Sequence, residues 1–275
     1  MVSSEISPAE AVKLLEDLTR IVARACAEIR AYSPTTAQQR VKPDQSPVTI
    51  ADEVSEATIL KGLARLLPGV PVISEESDQG KQSVDIGMSF LVLDPLDGTR
   101  EFIAGRDEFT VNLAIITRGM PIAGVIAAPA RHLLWRGVIG EKVERLRLLA
   151  DGADNARAIH TRTWPNRGAV AAVSRSHLDS DTEAFIATLG PITRNASGSA
   201  IKFCQIAEGS ADVYPRFGTT CEWDIAAGHA LVVAAGGKVT GPDGSPLIYG
   251  RATESFRVPA FIAWGDPAKA AAHET

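Results

Sequence analysis

The chain of 275 residues carries 28 Lys and Arg against 33 Asp and Glu, a formal charge of −5, and 45% of its residues are hydrophobic. This composition excludes a disordered or collagen-like chain, and its mild acidity argues against a nucleic-acid polymer as partner. We expect no transmembrane segment, because no apolar run approaches the roughly 20 residues of a membrane-spanning helix, and no secretory signal at the first residues. The length allows one large domain or two modest ones.

The helices and strands of the first half follow from capping and periodicity. Ser7-Pro8-Ala9-Glu10 combines a capping box with proline at the first helical position, and the apolar spacing behind it predicts a helix to about Ala31. After a polar loop at 33–47, a second helix is predicted over Ala51–Leu67. Strand signals follow at Val70–Ile73, Phe90–Leu93, Phe109–Thr117, Ile122–Ala128 and Trp135–Ile139.

A polar stretch at Asp151–Arg157 is the predicted domain boundary. Residues 1–156 are predicted to pack helices on a largely antiparallel sheet, and residues 157–275 to form an α/β domain. The elements predicted for this second part are a strand at Ala169–Val173, helices at Asp181–Leu189 and Ser199–Glu208, a strand at Ala211–Tyr214, and a helix at Asp224–Ala235.

The three cysteines are widely spaced and fit neither a disulfide framework nor a zinc site. We interpret Cys26, Cys204 and Cys221 as small buried hydrophobes in a reducing compartment, which predicts a cytoplasmic protein. Peripheral association with the inner face of the membrane and the oligomeric state are left open by the sequence.

The segment Asp94-Pro95-Leu96-Asp97-Gly98-Thr99 directly follows a predicted buried strand. Pro95 stiffens the turn, so that both carboxylates can face one side, and Gly98 allows the backbone to approach a ligand. If a helix begins at Thr99, the amides of Gly98 and Thr99 offer N–H groups to an anion. Carboxylates beside free amides suit a Mg²⁺–phosphate pair. The alternative is that Asp-Pro and Asp-Gly are ordinary turn dipeptides.

Four further acidic residues, in three separate places, stand where a loop meets a strand or helix. Glu75 and Glu76 follow a predicted strand, and a solvated acidic loop is the alternative to a binding role. Asp52 and Asp224 each begin a predicted helix, where an N-cap aspartate is expected without any ligand. Capping and metal binding remain compatible, because a carboxylate has two oxygens.

These motifs resemble the signatures of the inositol monophosphatase superfamily, a group of magnesium-dependent, lithium-sensitive phosphomonoesterases. The resemblance spans about Lys42 to Gly237 and is closest to the CysQ-type branch, the 3′(2′),5′-bisphosphate nucleotidases. It implies a sugar-phosphatase-like layered αβαβα sandwich, of mixed α+β and α/β character. The segments that carry it include Ser74-Glu75-Glu76, Asp94 to Thr99, Trp223 to Gly228, Phe109 to Asn112, Ile201 to Cys204 and Tyr214 to Gly218.

The resemblance implies two Mg²⁺ ions, with a third, weaker one in addition. In the family, the metals are held at positions that correspond here to Glu75, Asp94, the backbone oxygen of Leu96, Asp97 and Asp224. Most of these ligands fall in residues 1–156, whereas Asp224 and further substrate contacts fall in 157–275. The catalytic positions implied are Glu75, through the ion that carries the attacking water, Thr99, which orients that water, and Asp52, which supports Thr99 and the third ion.

The predicted substrate contacts combine the metal site with the segment Ser197-Gly198-Ser199 and Lys202. For that segment, hydroxyls, amides and an ammonium beside a second phosphate are weighed against a helix cap and a surface lysine. Arg216 is a weaker candidate of the same kind. The full set of predicted contacts is Glu75, Leu96, Asp97, Gly98, Thr99, Ser197, Gly198, Ser199, Lys202 and Asp224.

The resulting functional prediction is a phosphatase for a small anionic phosphate ester. It would remove the 3′-phosphate of adenosine 3′,5′-bisphosphate to give AMP, without a covalent intermediate, and clear a by-product of sulfate assimilation. A sugar-phosphate phosphatase of the same superfamily, acting on inositol monophosphate or fructose 1,6-bisphosphate, is the first alternative. A non-catalytic metal- or phosphate-binding regulator is the second.

Overall fold

The computed structural model describes residues 5–34, 37–42, 45–78, 86–176, 178–251 and 255–273. Parts of the predicted loop at 33–47 and both ends of the chain therefore lie outside the described residues. Within the described residues, no helix has the length and apolarity needed to cross a membrane.

The larger sheet has seven strands in the order β3-β4-β5-β6-β7-β8-β9. Only β3 and β4 pair in parallel, and every later pair is antiparallel, which confirms the largely antiparallel sheet predicted for the first half. The strands are β3 Val72–Ser74, β4 Ser89–Asp97, β5 Thr110–Thr117, β6 Met120–Ala128, β7 Leu133–Val138, β8 Val143–Leu149 and β9 Gly152–Ala158.

Two long helices, α1 (Pro8–Arg30) and α2 (Ile50–Leu66), pack against one face of this sheet. The predicted capping box at the start of α1 is confirmed, because the Ser7 side chain accepts from the backbone N–H of Glu10, whose carboxylate accepts from the N–H of Ser7. The apolar stripe of α1, which includes Leu15, Leu18 and Val22, joins strand residues in one buried cluster. Burial of this stripe, not helix propensity alone, holds the helix in place.

The smaller sheet has five strands in the order β11-β10-β12-β16-β14 and mixes parallel and antiparallel pairs. Its strands are β10 Ala169–Ser174, β11 Ile192–Ser197, β12 Val213–Arg216, β14 Lys238–Thr240 and β16 Phe261–Trp264. Two short ribbons complete the described strands, β1 Gln39–Val41 with β2 Pro47–Thr49, and β13 Thr220–Cys221 with β15 Arg257–Val258.

Helices α6 (Ile201–Ala207) and α7 (Glu222–Ala234) lie between the two sheets. They pack tightly, since a Cβ on Gly228 of α7 would lie 2.2 Å from the ring of Phe203 in α6. Helices α5 (Ser180–Thr188) and α8 (Pro267–Ala271) cover the outer face of the smaller sheet. The layers therefore run α, β, α, β, α, which confirms the predicted sandwich.

The polar stretch chosen as the domain boundary is a strand. Asp151–Arg157 overlaps β9, which pairs with β8, and β8 itself was not predicted. Strand β9 forms the edge of the sheet and its side chains are largely exposed, whereas β8 mixes buried and exposed positions, so neither sequence shows the apolar run of a fully buried strand. The larger sheet ends at Ala158, close to the predicted division at 156/157; that each half is a separate domain stays a prediction.

Candidate active site

Strand β4 delivers two carboxylates at its carboxyl end. Its pairing with β5 is regular up to Asp94 opposite Asn112, becomes irregular, and resumes at Asp97 opposite Thr110. Asp94 Oδ1 accepts from the backbone N–H of Leu96 at 3.0 Å. Asp94 Oδ2 is buried without a hydrogen-bond partner among the residues that the structure describes. An orphaned buried carboxylate oxygen is costly unless a cation compensates it.

Asp224 reaches the same point from the first turn of α7. The prediction that it is the N-cap was wrong, because Cys221 is the N-cap and Asp224 is the third residue of the helix. Its Oδ2 accepts from the hydroxyl of Thr220 and from the backbone N–H of Cys221. Asp224 therefore stabilises the helix N-terminus from within the first turn. A carboxylate oxygen from each of Asp94, Asp97 and Asp224 lies within 4.8 Å of the others.

We call Asp94, Asp97 and Asp224 the carboxylate cluster. Burial, and then the negative charges of Glu75, Asp97 and Asp224, raise the pKa of Asp94 well above its ordinary value. Burial and the nearby Asp224 raise the pKa of Asp97 to about 7. Three converging carboxylates with an unpartnered oxygen form a hard-oxygen donor set of the kind that binds Mg²⁺. The residues present therefore fit a divalent cation.

Glu75 lines the same cavity but is paired with a cation of the chain itself. Lys42 Nζ donates to Glu75 Oε1 at 2.8 Å and to Glu76 Oε1 at 2.7 Å, and its side chain is only 9% exposed. Burial raises the pKa of Glu75 to about 7, although Lys42 acts in the opposite direction. Lys42 was not singled out from the sequence, because it lies in an aperiodic polar loop and carries no motif.

Thr99 begins the short helix α4 (Thr99–Ile103), which confirms the conditional prediction of a helix at this point. Its hydroxyl lies 2.9 Å from Asp52 Oδ1 and 3.2 Å from the backbone oxygen of Leu96. Asp52 is fully buried, and its Oδ2 accepts from the backbone N–H and hydroxyl of Thr49. Asp52 is thus the third residue of α2, behind Thr49 as N-cap, and the prediction that it begins the helix was wrong.

The cavity above these acids has a volume of about 190 Å³. The basic residues that line it are Arg100, Lys202 and Arg216, and we call Lys202 and Arg216 the basic wall. Lys202 is 2% exposed, and its Nζ donates to the backbone oxygens of Ser199 at 2.5 Å and Ser197 at 3.3 Å and lies 5.1 Å from the ring centroid of Tyr214. The surface-lysine alternative was therefore wrong.

The segment 197–199 contributes unequally to the cavity. Gly198 and Ser199 line it, and the Ser199 hydroxyl is buried without a hydrogen-bond partner among the described residues. Ser197 lies behind the cavity lining, where its hydroxyl accepts from Gln205 Nε2 at 3.0 Å. The helix-cap alternative was also wrong, because α6 begins after Ala200 without a side-chain cap.

Of the predicted site residues, all but Asp52 and Ser197 line this cavity. Several lining residues were not predicted as site residues, although Tyr214 and Ile225 lie in segments that carry the resemblance. These residues are Ser46, Pro47, Arg100, Glu101, Ser174, Ser176, Tyr214 and Ile225. Glu101 and Ser176 meet there, with the Ser176 hydroxyl donating to Glu101 Oε1 at 2.7 Å.

Comparison with known proteins agrees with this geometry. The model of the Inositol monophosphatase family matches residues 10–269. The chain is 40% identical over 220 residues to the 3′(2′),5′-bisphosphate nucleotidase CysQ of Escherichia coli K12, covering 80% of this chain and 86% of that one. A CysQ of Haemophilus influenzae is 27% identical over 264 residues, covering 92% and 93% of the two chains.

Solved structures show the same fold. CysQ from Bacteroides thetaiotaomicron superposes with a TM-score of 0.78 at 32% identity, over 92% of this chain and 97% of that chain. An inositol monophosphatase from Anabaena superposes with a TM-score of 0.73 at 26% identity, over 96% and 93% of the two chains.

The chain belongs to the inositol monophosphatase family. It is accordingly an enzyme of a phosphatase family, and its similarity is to the CysQ branch, as the motifs indicated.

Proposed function

We propose that the chain is a Mg²⁺-dependent 3′(2′),5′-bisphosphate nucleotidase that converts adenosine 3′,5′-bisphosphate to AMP and phosphate. The observation that carries the proposal is one cavity lined both by the carboxylate cluster and by the basic wall. A substrate with two phosphate groups matches both, and the named activity of the 40%-identical relative supports this choice. A cytoplasmic location is part of the proposal.

The donor set favours Mg²⁺ because all of its members are oxygens. Asp94, Asp97 and Asp224 would hold metal, together with Glu75 and the backbone oxygen of Leu96. A pair of such ions supplies Lewis-acid activation of water and neutralisation of a leaving oxygen. A third ion beside Asp52 would have to compete with Thr49 and Thr99, which already occupy both carboxylate oxygens.

Thr99 positions the attacking water in this proposal. Its hydroxyl hydrogen points either to Asp52 or to the Leu96 carbonyl, which leaves the hydroxyl oxygen free to accept a hydrogen bond from water. The backbone N–H groups of Gly98 and Thr99 would bind phosphate oxygens, where charge concentrates in the loose transition state. No side chain needs to form a covalent intermediate.

The deciding experiment measures phosphate release from a small panel of esters in the presence of Mg²⁺. We expect kcat/KM for adenosine 3′,5′-bisphosphate to exceed kcat/KM for inositol 1-phosphate and fructose 1,6-bisphosphate. A preference for inositol phosphate would contradict the nucleotidase assignment, and no turnover of any ester would favour a regulator. Inhibition by millimolar lithium, through competition at a Mg²⁺ position, is the expected companion result.

A further inference from the structure

A second carboxylate group lies just outside the cavity and joins its two sides. Glu108, in the loop between α4 and β5, is 8% exposed and binds the guanidinium of Arg175, which directly follows β10. Arg175 Nε donates to Glu108 Oε2 and Nη2 to Oε1, both at 2.7 Å. Such a bidentate contact fixes the relative orientation of the two side chains as well as their distance. Neither residue lines the cavity.

The pair also holds the turn that follows β11. Gly198 donates its backbone N–H to Glu108 Oε2 at 2.9 Å, and Arg175 Nη2 donates to the backbone oxygen of Ala196 at 2.7 Å. The backbone N–H of Arg175 donates to the oxygen of Ser197 at 3.2 Å. Ser199, with φ +50° in the left-handed region, completes the turn and presents its unpartnered hydroxyl. The turn is therefore set by Glu108 and Arg175.

The backbone of Glu108 also lies between this turn and the segment at 98–99, which is proposed to bind phosphate. A Cβ on Gly98 would lie 3.1 Å from the Glu108 carbonyl oxygen, and a Cβ on Gly198 would lie 2.7 Å from it. Glycine is required at both positions because only it allows such close approach. A shift of Glu108 would thus move both turns relative to each other.

We propose that Glu108 and Arg175 are positioning residues that set the distance between the turn at 197–199 and the segment at 98–99. The turn contacts the part of the substrate beyond the scissile phosphate, and in this respect the proposal rests on the proposed function. Loss of the pair would weaken binding of that part, while the carboxylate cluster keeps its chemistry. The expected signature is a higher KM with little change in kcat, confined to substrates long enough to reach the turn.

The test compares adenosine 3′,5′-bisphosphate with p-nitrophenyl phosphate, a small monoester, in Glu108→Gln, Arg175→Met and the double variant. We expect KM for the bisphosphate to rise about tenfold in all three, with kcat and the small-ester kcat/KM within about twofold of wild type. Equal effects in single and double variants indicate one shared interaction. Arg175→Lys keeps the positive charge but loses the bidentate guanidinium contact, so its KM for the bisphosphate should lie between those of wild type and Arg175→Met.

Asp107→Asn is the matched control. Asp107 neighbours Glu108 and binds Arg131 through two contacts of 3.1 and 3.2 Å, but it is exposed and does not touch the turn. We expect this variant to keep wild-type KM. If the thermal midpoint shows that Glu108→Gln does not fold, the KM of Arg175→Lys tests the proposal instead.

Unchanged KM in the folded variants would overturn the proposal, as would equal losses of kcat on both substrates, because a purely structural role affects both alike. Failure of the proposed function can be distinguished from failure of this positioning role. It would show in the wild type as a preference for another phosphate ester, and the KM of that ester would then test the pair in the same way.

Discussion

The carboxylate cluster and the basic wall line the same cavity, but their charges are satisfied differently. The acids lie within 4.8 Å of one another, and Asp94 Oδ2 has no partner among the described residues. Lys202, in contrast, donates to two backbone oxygens and lies beside the ring of Tyr214. The cluster therefore fits a cation from outside the chain, whereas the ammonium of Lys202 is already stabilised by the fold.

This difference separates two properties of the enzyme. Metal dependence and turnover should depend on the cluster, and affinity for the part of the substrate beyond the scissile phosphate should depend on the basic wall. Lys42 combines both features, because it is a cation of the chain that pairs with Glu75, an acid of the proposed metal site.

The largest effect is expected from Asp97→Ala. Asp97 Oδ2 accepts from the backbone N–H of Ala200 at 2.7 Å, and its proposed role is to share a cation with Asp94 and Asp224. We expect phosphate release to fall by about a thousandfold or more, and the metal-free fold to persist because a repelling charge is removed. Phosphate assay and circular dichroism test this, and turnover at the wild-type rate would rule out the cluster as the metal site.

The fold could be predicted further than the site. Apolar periodicity and capping located α1, α2 and the central strands to within a few residues, because buried faces leave a clear pattern. Strands β8 and β9 were not predicted, because β8 mixes buried and exposed positions and β9, at the edge of the sheet, is largely exposed. The acids of the site were predicted because each lies near the end of a strand or in the first turn of a helix, and because their motifs resemble those of a known family.

The contacts of the site could not be predicted, because they join residues far apart in the sequence. Lys42 meets Glu75 across 33 positions and Glu108 meets Arg175 across 67. No local spacing records such pairs, since the register of the sheets and the packing of the layers bring them together. The same reason explains why Ser197 was assigned to the cavity although it lies behind its lining.

Lys42→Met tests whether this lysine neutralises the metal site when no metal is bound. Loss of the Lys42 ammonium removes a hydrogen-bonded cation from the buried carboxylates of Glu75 and Glu76, which should lower the free energy of unfolding in EDTA by about 3 kcal/mol. Added Mg²⁺ should recover part of this loss, because it supplies charge to Glu75. Urea unfolding with EDTA and with Mg²⁺ measures both quantities.

Arg40→Met is a suitable control, because Arg40 pairs with Glu53 at the surface and lies outside the cavity. We expect almost no change of stability in that variant, as is usual for an exposed ion pair. Equal losses with and without Mg²⁺ in Lys42→Met would show that Lys42 supports the loop rather than the metal site.

Lys202→Met tests the basic wall. The methionine keeps the apolar stem against Tyr214 but removes the ammonium, so KM for adenosine 3′,5′-bisphosphate should rise about twentyfold. The small ester p-nitrophenyl phosphate should keep its KM to within about twofold, since it does not reach the wall. Steady-state kinetics on both substrates measure this difference in KM. A drop in kcat with unchanged KM would contradict a role of Lys202 in substrate binding and would indicate that it supports Asp97.

The smallest effect concerns a buried histidine that burial keeps neutral, in contrast to the charged groups of the carboxylate cluster and the basic wall. His229, in the middle of α7, has Nδ1 2.9 Å from the Tyr249 hydroxyl, and burial lowers its pKa from 6.5 to about 4. The folded state thus favours the neutral ring, so its contribution to stability is full above pH 6.5 and is lost as the pH falls towards 4. From pH 7 to 5.5 the loss should be about 1 kcal/mol. Urea unfolding of wild type and His229→Gln across this range should give curves that converge at low pH, and parallel curves would show that His229 does not titrate there.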